Sequence, residues 1–163
     1  MTSIRRFSSL PLRRIALWAL ALNALWEFAQ CGVFYQMWDD GLLSGGLLMM
    51  AAIAGDVVIV MGVAFLAFQL TGAAALNKPT VIGWGVLAGV GFLVGVVLEW
   101  ISQVLRLWGY NPWMPTIPVL GYEVGLLPVL QITVLPAISV YSSTCSRKLH
   151  PSRSDVLKDG QQL

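Results

Sequence analysis

Charged residues are scarce in this chain: Asp, Glu, Lys and Arg make up 11% of its 163 residues, whereas a soluble domain carries about a quarter. Cysteine and histidine are rarer still, with Cys31, Cys145 and His150 as the complete set. Two cysteines predict no disulfide framework, and one histidine leaves no His/Cys group that could hold a metal ion. Phosphate-binding, dinucleotide-binding and nucleophile-elbow motifs are lacking too. The sequence therefore predicts no cofactor, no metal site and no nucleic-acid partner.

Long apolar stretches make up most of the sequence. Hydrophobic residues make up 57% of the chain, and its mean hydropathy is +0.75. Four apolar stretches, at residues 15–38, 46–70, 81–105 and 124–141, come close to or exceed the roughly 20 residues that a helix needs to cross a bilayer. We therefore expect an all-α fold, a polytopic four-helix membrane bundle with the lipid bilayer as its partner.

The lengths of the four apolar stretches also predict the domain organisation. Residues 1–142 would form one transmembrane domain, because little sequence is left for a separate soluble unit. Residues 143–163 are polar and are expected to form a disordered tail on the cytoplasmic side.

Basic residues mark one side of the membrane. Arg106 falls on the side opposite to the other nine, which are Arg5, Arg6, Arg13, Arg14, Lys78, Arg147, Lys148, Arg153 and Lys158. The positive-inside rule then places both termini in the cytoplasm and the protein in the cell (inner) membrane. The start of the chain resembles a twin-arginine export signal, but its apolar run is too long for a signal peptide, so an uncleaved first helix is the better interpretation.

The third apolar stretch carries a stripe of small and polar residues. Gly91, Gly95, Glu99 and Gln103 are spaced four apart, so they share one helical face. The two glycines should let another helix come close. A carboxyl group follows them on the same face, deep in apolar sequence.

Each of the four stretches places a polar residue between the middle of the bilayer and its outer third: Glu27, Asp56, Glu99 and Gln131. An ionised carboxylate at the centre of a membrane helix costs about 2.5–3.5 kcal/mol. Arg106 is the single cation near this depth and cannot balance three acids. At least one carboxyl group should then keep its proton, or the group must share protons or hold a cation. A protonated carboxyl in an apolar pocket suits general-acid chemistry.

These polar groups have a plainer interpretation as hydrogen bonds that join helices, worth about 0.6–2 kcal/mol each. That interpretation is preferred for Asn23, Gln30, Gln103 and Gln131 taken singly. It is weaker for the three carboxyl groups, because amides would join helices at lower cost. Cys31 is interpreted as a small packing residue and not as a nucleophile.

Aromatic residues and prolines are concentrated in residues 107–123, between the third and fourth stretches. The aromatic residues are Trp108, Tyr110, Trp113 and Tyr122. They suit a membrane interface, and the prolines restrict the freedom of the segment. The segment is therefore either an interfacial belt or an ordered outer cap over the polar residues. In the fourth stretch, Pro128 and Pro136 should kink the helix or free backbone carbonyls.

One pattern covers nearly the whole apolar part of the chain. It runs Asn23-x-x-Trp26-Glu27-x-x-Gln30, Gly55-Asp56, Glu99-Trp100, Trp108-x-Tyr110 and Met114-Pro115-x-x-Pro118, then Gly121, Pro128, Gln131 and Pro136. By this pattern the chain resembles a group of small bacterial four-span membrane proteins, which implies a fold but no particular activity. The element Asn23-x-x-Trp26-Glu27 is also similar to one in small membrane-bound terpene cyclases, and that resemblance implies a proton-donating carboxyl group.

The expected function is chemistry on, or binding of, an isoprenoid-like or lipid substrate. Glu27 or Glu99 would be the proton donor or base, and Asp56 would share the proton. Arg106 would steady charge at the mouth of the site, under an aromatic cover. The expected substrate-binding residues are Asn23, Trp26, Gln30, Arg106, Trp108, Tyr110, Trp113 and Gln131.

Two other classes of function stay open. A proton- or cation-coupled carrier would need a homo-oligomer, because four spans are few for a transport path, and the small residues of the second and third stretches could support one. The third class is a non-catalytic subunit of a membrane assembly.

Overall fold

The computed structural model describes residues 10–36, 41–78 and 80–149. Several sequence predictions lie outside the described residues: the basic pair Arg5 and Arg6, the outer turn at residues 39–40, and the tail from residue 150 onward.

The described chain is mostly helical. Its helices are α1 (Leu12–Phe34), α2 (Leu42–Thr71), the short α3 (Ala73–Leu76), α4 (Val81–Leu105) and α5 (Leu126–Leu149). By length and composition, four helices could cross a membrane: α1, α2, α4 and α5. This confirms a helical protein with four candidate spans.

The helix bounds match the sequence prediction best for α4, whose limits are those expected. Thr80 begins α4 by accepting a hydrogen bond from the Gly83 N–H at 3.0 Å, which satisfies one of the free donors of the first turn. Arg106 ends it in the left-handed region at φ 53°. A tight cap at each end therefore defines this helix.

The first and fourth spans need correction. Helix α1 ends at Phe34 and not near residue 38, because Tyr35 is extended and forms a β-bridge with Tyr110. Helix α5 begins at Leu126 and not at residue 124, and it continues to Leu149. Residues 143–149, which we assigned to the polar tail, are therefore helical.

The segment between α4 and α5 contains a β-hairpin that the sequence did not predict. Strand β1 (Thr116–Val119) pairs antiparallel with β2 (Tyr122–Gly125). The two residues between the strands, Leu120 and Gly121, have φ values of 47° and 85°, as a primed hairpin turn requires. Pro118 is tolerated because each strand of a two-stranded sheet is an edge strand. The segment is thus ordered.

Helix α5 lies at the centre of the packing. It contacts α1, α2 and α4, and 61% of its apolar window is buried, against 22–28% for the other three helices. The exposed residues of those helices are largely apolar, as expected for surfaces that face lipid. We call the end of the molecule at residues 10, 72–80 and 149 the terminal end, and the opposite end the hairpin end.

The apolar core is divided into two parts. The larger part fills the terminal half and joins all four long helices through residues such as Ile15, Val63, Leu87 and Val140. A smaller cluster of Cys31, Met49 and Ile53 lies between α1 and α2 toward the hairpin end. The polar residues of the four spans lie between and beside these two cores.

The glycine stripe of α4 packs against α5 as predicted. A Cβ atom added to Gly91 would meet the Ile132 carbonyl oxygen, and one added to Gly95 would lie 3.2 Å from the Val129 Cα. Pro136 lies inside α5 and has no N–H, so the Ile132 carbonyl four residues earlier loses its helical donor and turns to this contact. Pro128, by contrast, lies in the first turn of α5, where a missing N–H removes no helical bond.

Other small residues make no such contact within the chain. A Cβ atom added to Gly46, Gly55 or Gly62 of α2, or to Gly85 or Gly89 of α4, would meet nothing within 4 Å. The close approach expected for the second span is therefore not made by these glycines within the described chain.

Replacing Gly91 with Ala should destabilise the fold by about 1–3 kcal/mol, because the added methyl group would push α4 away from α5. Gly89→Ala is the matched control, since it changes the same residue type on the open face of the same helix. Thermal unfolding in detergent micelles measures both. Equal melting temperatures for the two variants would contradict the packing described here.

Candidate functional site

The Gln131 side chain joins three helices in the hairpin half of the molecule. Its Nε2 lies 3.0 Å from Asn23 Oδ1, 3.0 Å from Glu27 Oε1 and 2.7 Å from Asp56 Oδ2. Its Oε1 accepts a hydrogen bond from Gln30 Nε2 at 3.0 Å. An amide nitrogen carries two hydrogens, so three acceptors share two donors. Gln131 of α5 is the hub that links α1 to α2.

The Glu27 carboxyl group is held at both oxygens. Gln30 Nε2 donates to Oε1 at 2.9 Å, and the Cys31 thiol donates to Oε2 at 2.9 Å. Trp26 Nε1 in turn donates to Gln30 Oε1 at 2.8 Å. The spacings of three and four residues put these side chains next to one another on α1. Cys31 is thus a buried packing residue, as predicted, and also a hydrogen-bond partner of Glu27.

Glu27 and Asp56 form a pair of carboxyl groups. Glu27 Oε1 and Asp56 Oδ2 both lie within hydrogen-bond distance of one atom, Gln131 Nε2, at 3.0 and 2.7 Å. Two ionised carboxylates that close together repel each other, so the arrangement favours a proton on one of the two groups. Such a proton would offset charge that no cation among the described residues balances.

The two carboxyl groups of the pair differ in how far they are exposed. Asn23, Glu27, Gln30 and Gln131 are at most 5% exposed. Asp56, however, is only half-buried. Asp56 is therefore the carboxyl group of the pair that another molecule could reach.

Glu99 lies in a neighbouring network and not in the Gln131 hub. Its Oε1 accepts hydrogen bonds from Trp108 Nε1, at 3.2 Å, and from the Tyr110 hydroxyl. The Tyr110 oxygen also accepts from the Gly125 N–H at 3.1 Å. Of the three acids, Glu27 and Asp56 thus meet at Gln131, whereas Glu99 is held by Trp108 and Tyr110.

The segment that follows α4 closes over Glu99. Tyr35 packs edge-on against Trp108 and Tyr110, with ring centroids 6.4 and 5.9 Å apart. Asn111 donates from Nδ2 to the carbonyls of Val33 and Tyr35, at 3.0 and 3.2 Å. These bonds satisfy carbonyls at the end of α1. The geometry favours an ordered cap over a loose interfacial belt.

Two expected site residues do not reach the carboxyl groups. Arg106 is exposed, and within residues 10–36, 41–78 and 80–149 no ion pair joins it to Glu27, Asp56 or Glu99. Its left-handed backbone ends α4 at this residue. Trp113 is 78% exposed and does not cover the network. The roles expected of Arg106 at the mouth of the site and of Trp113 in its cover stay predictions.

Tyr35 and Asn111 belong to the site although the sequence did not single them out. Tyr35 directly follows the first span, and Asn111 stands between aromatic residues and prolines. Neither position carries a periodic signal, because the contacts they make join segments more than 70 residues apart.

The described residues contain no group of three or more His, Cys, Asp or Glu side chains that could hold a metal ion. The chain also matches no protein-family model, no curated protein and no solved structure.

Replacing Gln131 with Leu should destabilise the protein by about 2–4 kcal/mol, because it leaves Asn23, Gln30 and the carboxyl pair without their common partner. Ser139→Ala is the matched control on the same helix: the Ser139 hydroxyl is fully buried and has no partner among the described residues, so its loss should be close to neutral. Thermal unfolding in detergent micelles compares the two. A Q131L variant as stable as S139A would show that the hub stabilises nothing.

Tyr110 gives a pH-dependent contribution to stability. Burial, followed by the hydrogen bond to Glu99, raises the pKa of the Tyr110 phenol above its ordinary value. A raised folded-state pKa means that the stabilisation is complete below the unfolded value of about 10 and is lost as the pH rises above it. The difference in stability between the wild type and Tyr110→Phe should therefore be constant up to about pH 10 and shrink above it. A difference that grew with pH would contradict this assignment.

Proposed function

We propose that this protein is an integral membrane enzyme that moves a proton to or from an isoprenoid-like or lipid substrate. The observation that supports this most is the pair of carboxyl groups from α1 and α2 that meet at Gln131 Nε2, at the hairpin end and without a described cation beside them. A carboxyl group that keeps its proton in an apolar setting is a suitable general acid.

The two acids of the pair would have different tasks. Asp56 is half-buried and would present the proton to the substrate. Glu27 is fixed at both oxygens by Gln30 and Cys31 and would return or receive the proton. Gln131 would orient both. In the neighbouring network Glu99, held by Trp108 and Tyr110, would be a second acid for proton transfer or charge stabilisation.

The surroundings of Asp56 suit an apolar substrate. Gly55 precedes it and leaves open space on the exposed side of α2. Ile53 and Val60, one turn to either side, are buried and apolar. A substrate dissolved in the bilayer could reach Asp56 from the lipid side without crossing water.

The orientation is part of the proposal. We infer that the four long helices form a transmembrane bundle in the cell (inner) membrane with both ends of the chain in the cytoplasm. Arg13, Arg14 and Lys78 lie at the terminal end, as the positive-inside rule requires of a cytoplasmic surface. The carboxyl pair would then lie on the outer side of mid-membrane.

The enzyme is favoured over a carrier by the position of the apolar core. Below the carboxyl pair, the terminal half is filled by apolar residues of all four helices. A proton or cation path through a single chain would have to cross this region. A carrier would therefore need a path between copies of the chain.

Replacing Glu27 with Gln or Asp56 with Asn should lower activity at least about 100-fold, because each change removes the shared proton while conserving side-chain volume. Glu99→Gln tests the second network. Glu123→Gln is the matched control, since Glu123 is exposed and its carboxyl group bonds only locally to Thr116 at 2.7 Å.

The measurement is lipid and isoprenoid profiling of a deletion strain complemented with each variant, together with infrared detection of the protonated-carboxyl band in purified protein. Full activity of both E27Q and D56N would refute the catalytic role. Flux of protons into reconstituted vesicles would instead identify a carrier, and changed recovery of a partner protein would identify an assembly subunit.

A further inference from the structure

Two buried N–H donors near the end of α4 have no acceptor in the described part of the chain: Trp100 Nε1 and Gln103 Nε2. An indole N–H can only donate a hydrogen bond. Folded proteins leave few buried donors unpaired, and such a donor points to a partner that binds there. Two of them within one turn of one helix indicate a common partner with acceptor oxygens.

The two donors lie apart from the carboxyl network. A spacing of three residues makes Trp100 and Gln103 neighbours on the surface of α4. The Trp100 ring packs edge-on against Tyr122 of the hairpin, with centroids 6.0 Å apart, so the hairpin holds the indole in place. Glu99, next to Trp100 in sequence, is occupied by Trp108 and Tyr110.

The depth of the donors suits a lipid headgroup. Helix α4 has 25 residues, which corresponds to about 37 Å, whereas the hydrocarbon core of a bilayer is about 30 Å thick. The last turn of α4 can therefore lie among the ester and phosphate groups of the lipids. Gln103 is two residues from the end of this helix.

A positive charge and an apolar surface complete the site. Arg106 follows Gln103 by three residues and is exposed, and guanidinium groups favour phosphate oxygens. On the membrane side, Val97, Ile101 and Val104 are 54%, 38% and 37% exposed and form a stripe on which an acyl chain can lie. The donors and the apolar stripe lie on α4, and the cation is the residue that directly follows its last one.

We propose that the last turn of α4 binds the phosphate group of a membrane phospholipid. Trp100 Nε1 and Gln103 Nε2 donate to phosphate oxygens, and Arg106 supplies the balancing charge. The acyl chains run along Val97 and Ile101 toward the centre of the membrane. This site holds a structural lipid and is independent of the proposed enzyme activity.

The test follows the indole N–H resonances of the full chain, labelled with ¹⁵N-tryptophan, in uncharged detergent micelles during titration with a short-chain phosphatidylglycerol. The Trp100 resonance, assigned by its absence in Trp100→Phe, should move downfield as the lipid binds. Trp84, on the same helix at the terminal end, is the internal control and should not move. Gln103→Leu and Arg106→Gln should each weaken the apparent affinity roughly tenfold.

Two other ligands show whether the group that accepts from Trp100 and Gln103 is a lipid phosphate or a free anion. Diacylglycerol, which lacks the phosphate, should leave the Trp100 resonance in place, and an equal shift with it would overturn the phosphate assignment. An equal shift with inorganic phosphate alone would overturn the lipid assignment in favour of a free anion. No selective shift of the Trp100 resonance with any of these ligands would show that no lipid fills the site.

Discussion

The structure depends on one constraint: polar side chains buried in an apolar protein, with no cation among the described residues to balance them, must satisfy one another. Gln131 does this for α1, α2 and α5 by accepting from Gln30 and donating toward Asn23, Glu27 and Asp56. Within lipid there is no water to replace a lost partner. The relative positions of three helices are therefore tied to the geometry of a single amide group.

The packing of α5 follows from the same requirement. A helix that contributes the central amide has to lie between the helices that supply its partners, and α5 is accordingly the most buried of the four. On its other side, Gly91 and Gly95 bring α4 close to Ile132 and Val129. The glycine-packed residues Val129 and Ile132 and the hydrogen-bonding Gln131 lie within about one turn of α5, so a change in one contact would shift the other.

The chemistry that we propose depends on the two carboxyl groups that this arrangement brings together. Two carboxyl groups that meet at one amide nitrogen favour a retained proton, and one of them, Asp56, is only half-buried. The ordered segment above them, fixed by Asn111 to the end of α1 and by Tyr110 to Glu99 and Gly125, would shield the site from water. Purely structural hydrogen bonds would not need two carboxyl groups in contact, since a carboxyl–amide pair avoids the need for a bound proton.

The sequence by itself determined the four long helices, because length and hydropathy are local properties that the bilayer constrains directly. It also identified the glycine face of α4 and the polar residues of each span, since helical periodicity places residues four apart on one side. Only the tertiary structure decided which of these polar groups meet. Gln131 pairs with residues 75 to 108 positions away, Tyr110 ends α1 early through a bridge to Tyr35, and Arg106 leaves the helix in a left-handed turn. These outcomes depend on how the helices rotate and pack against one another, and no periodicity within a single helix encodes that rotation.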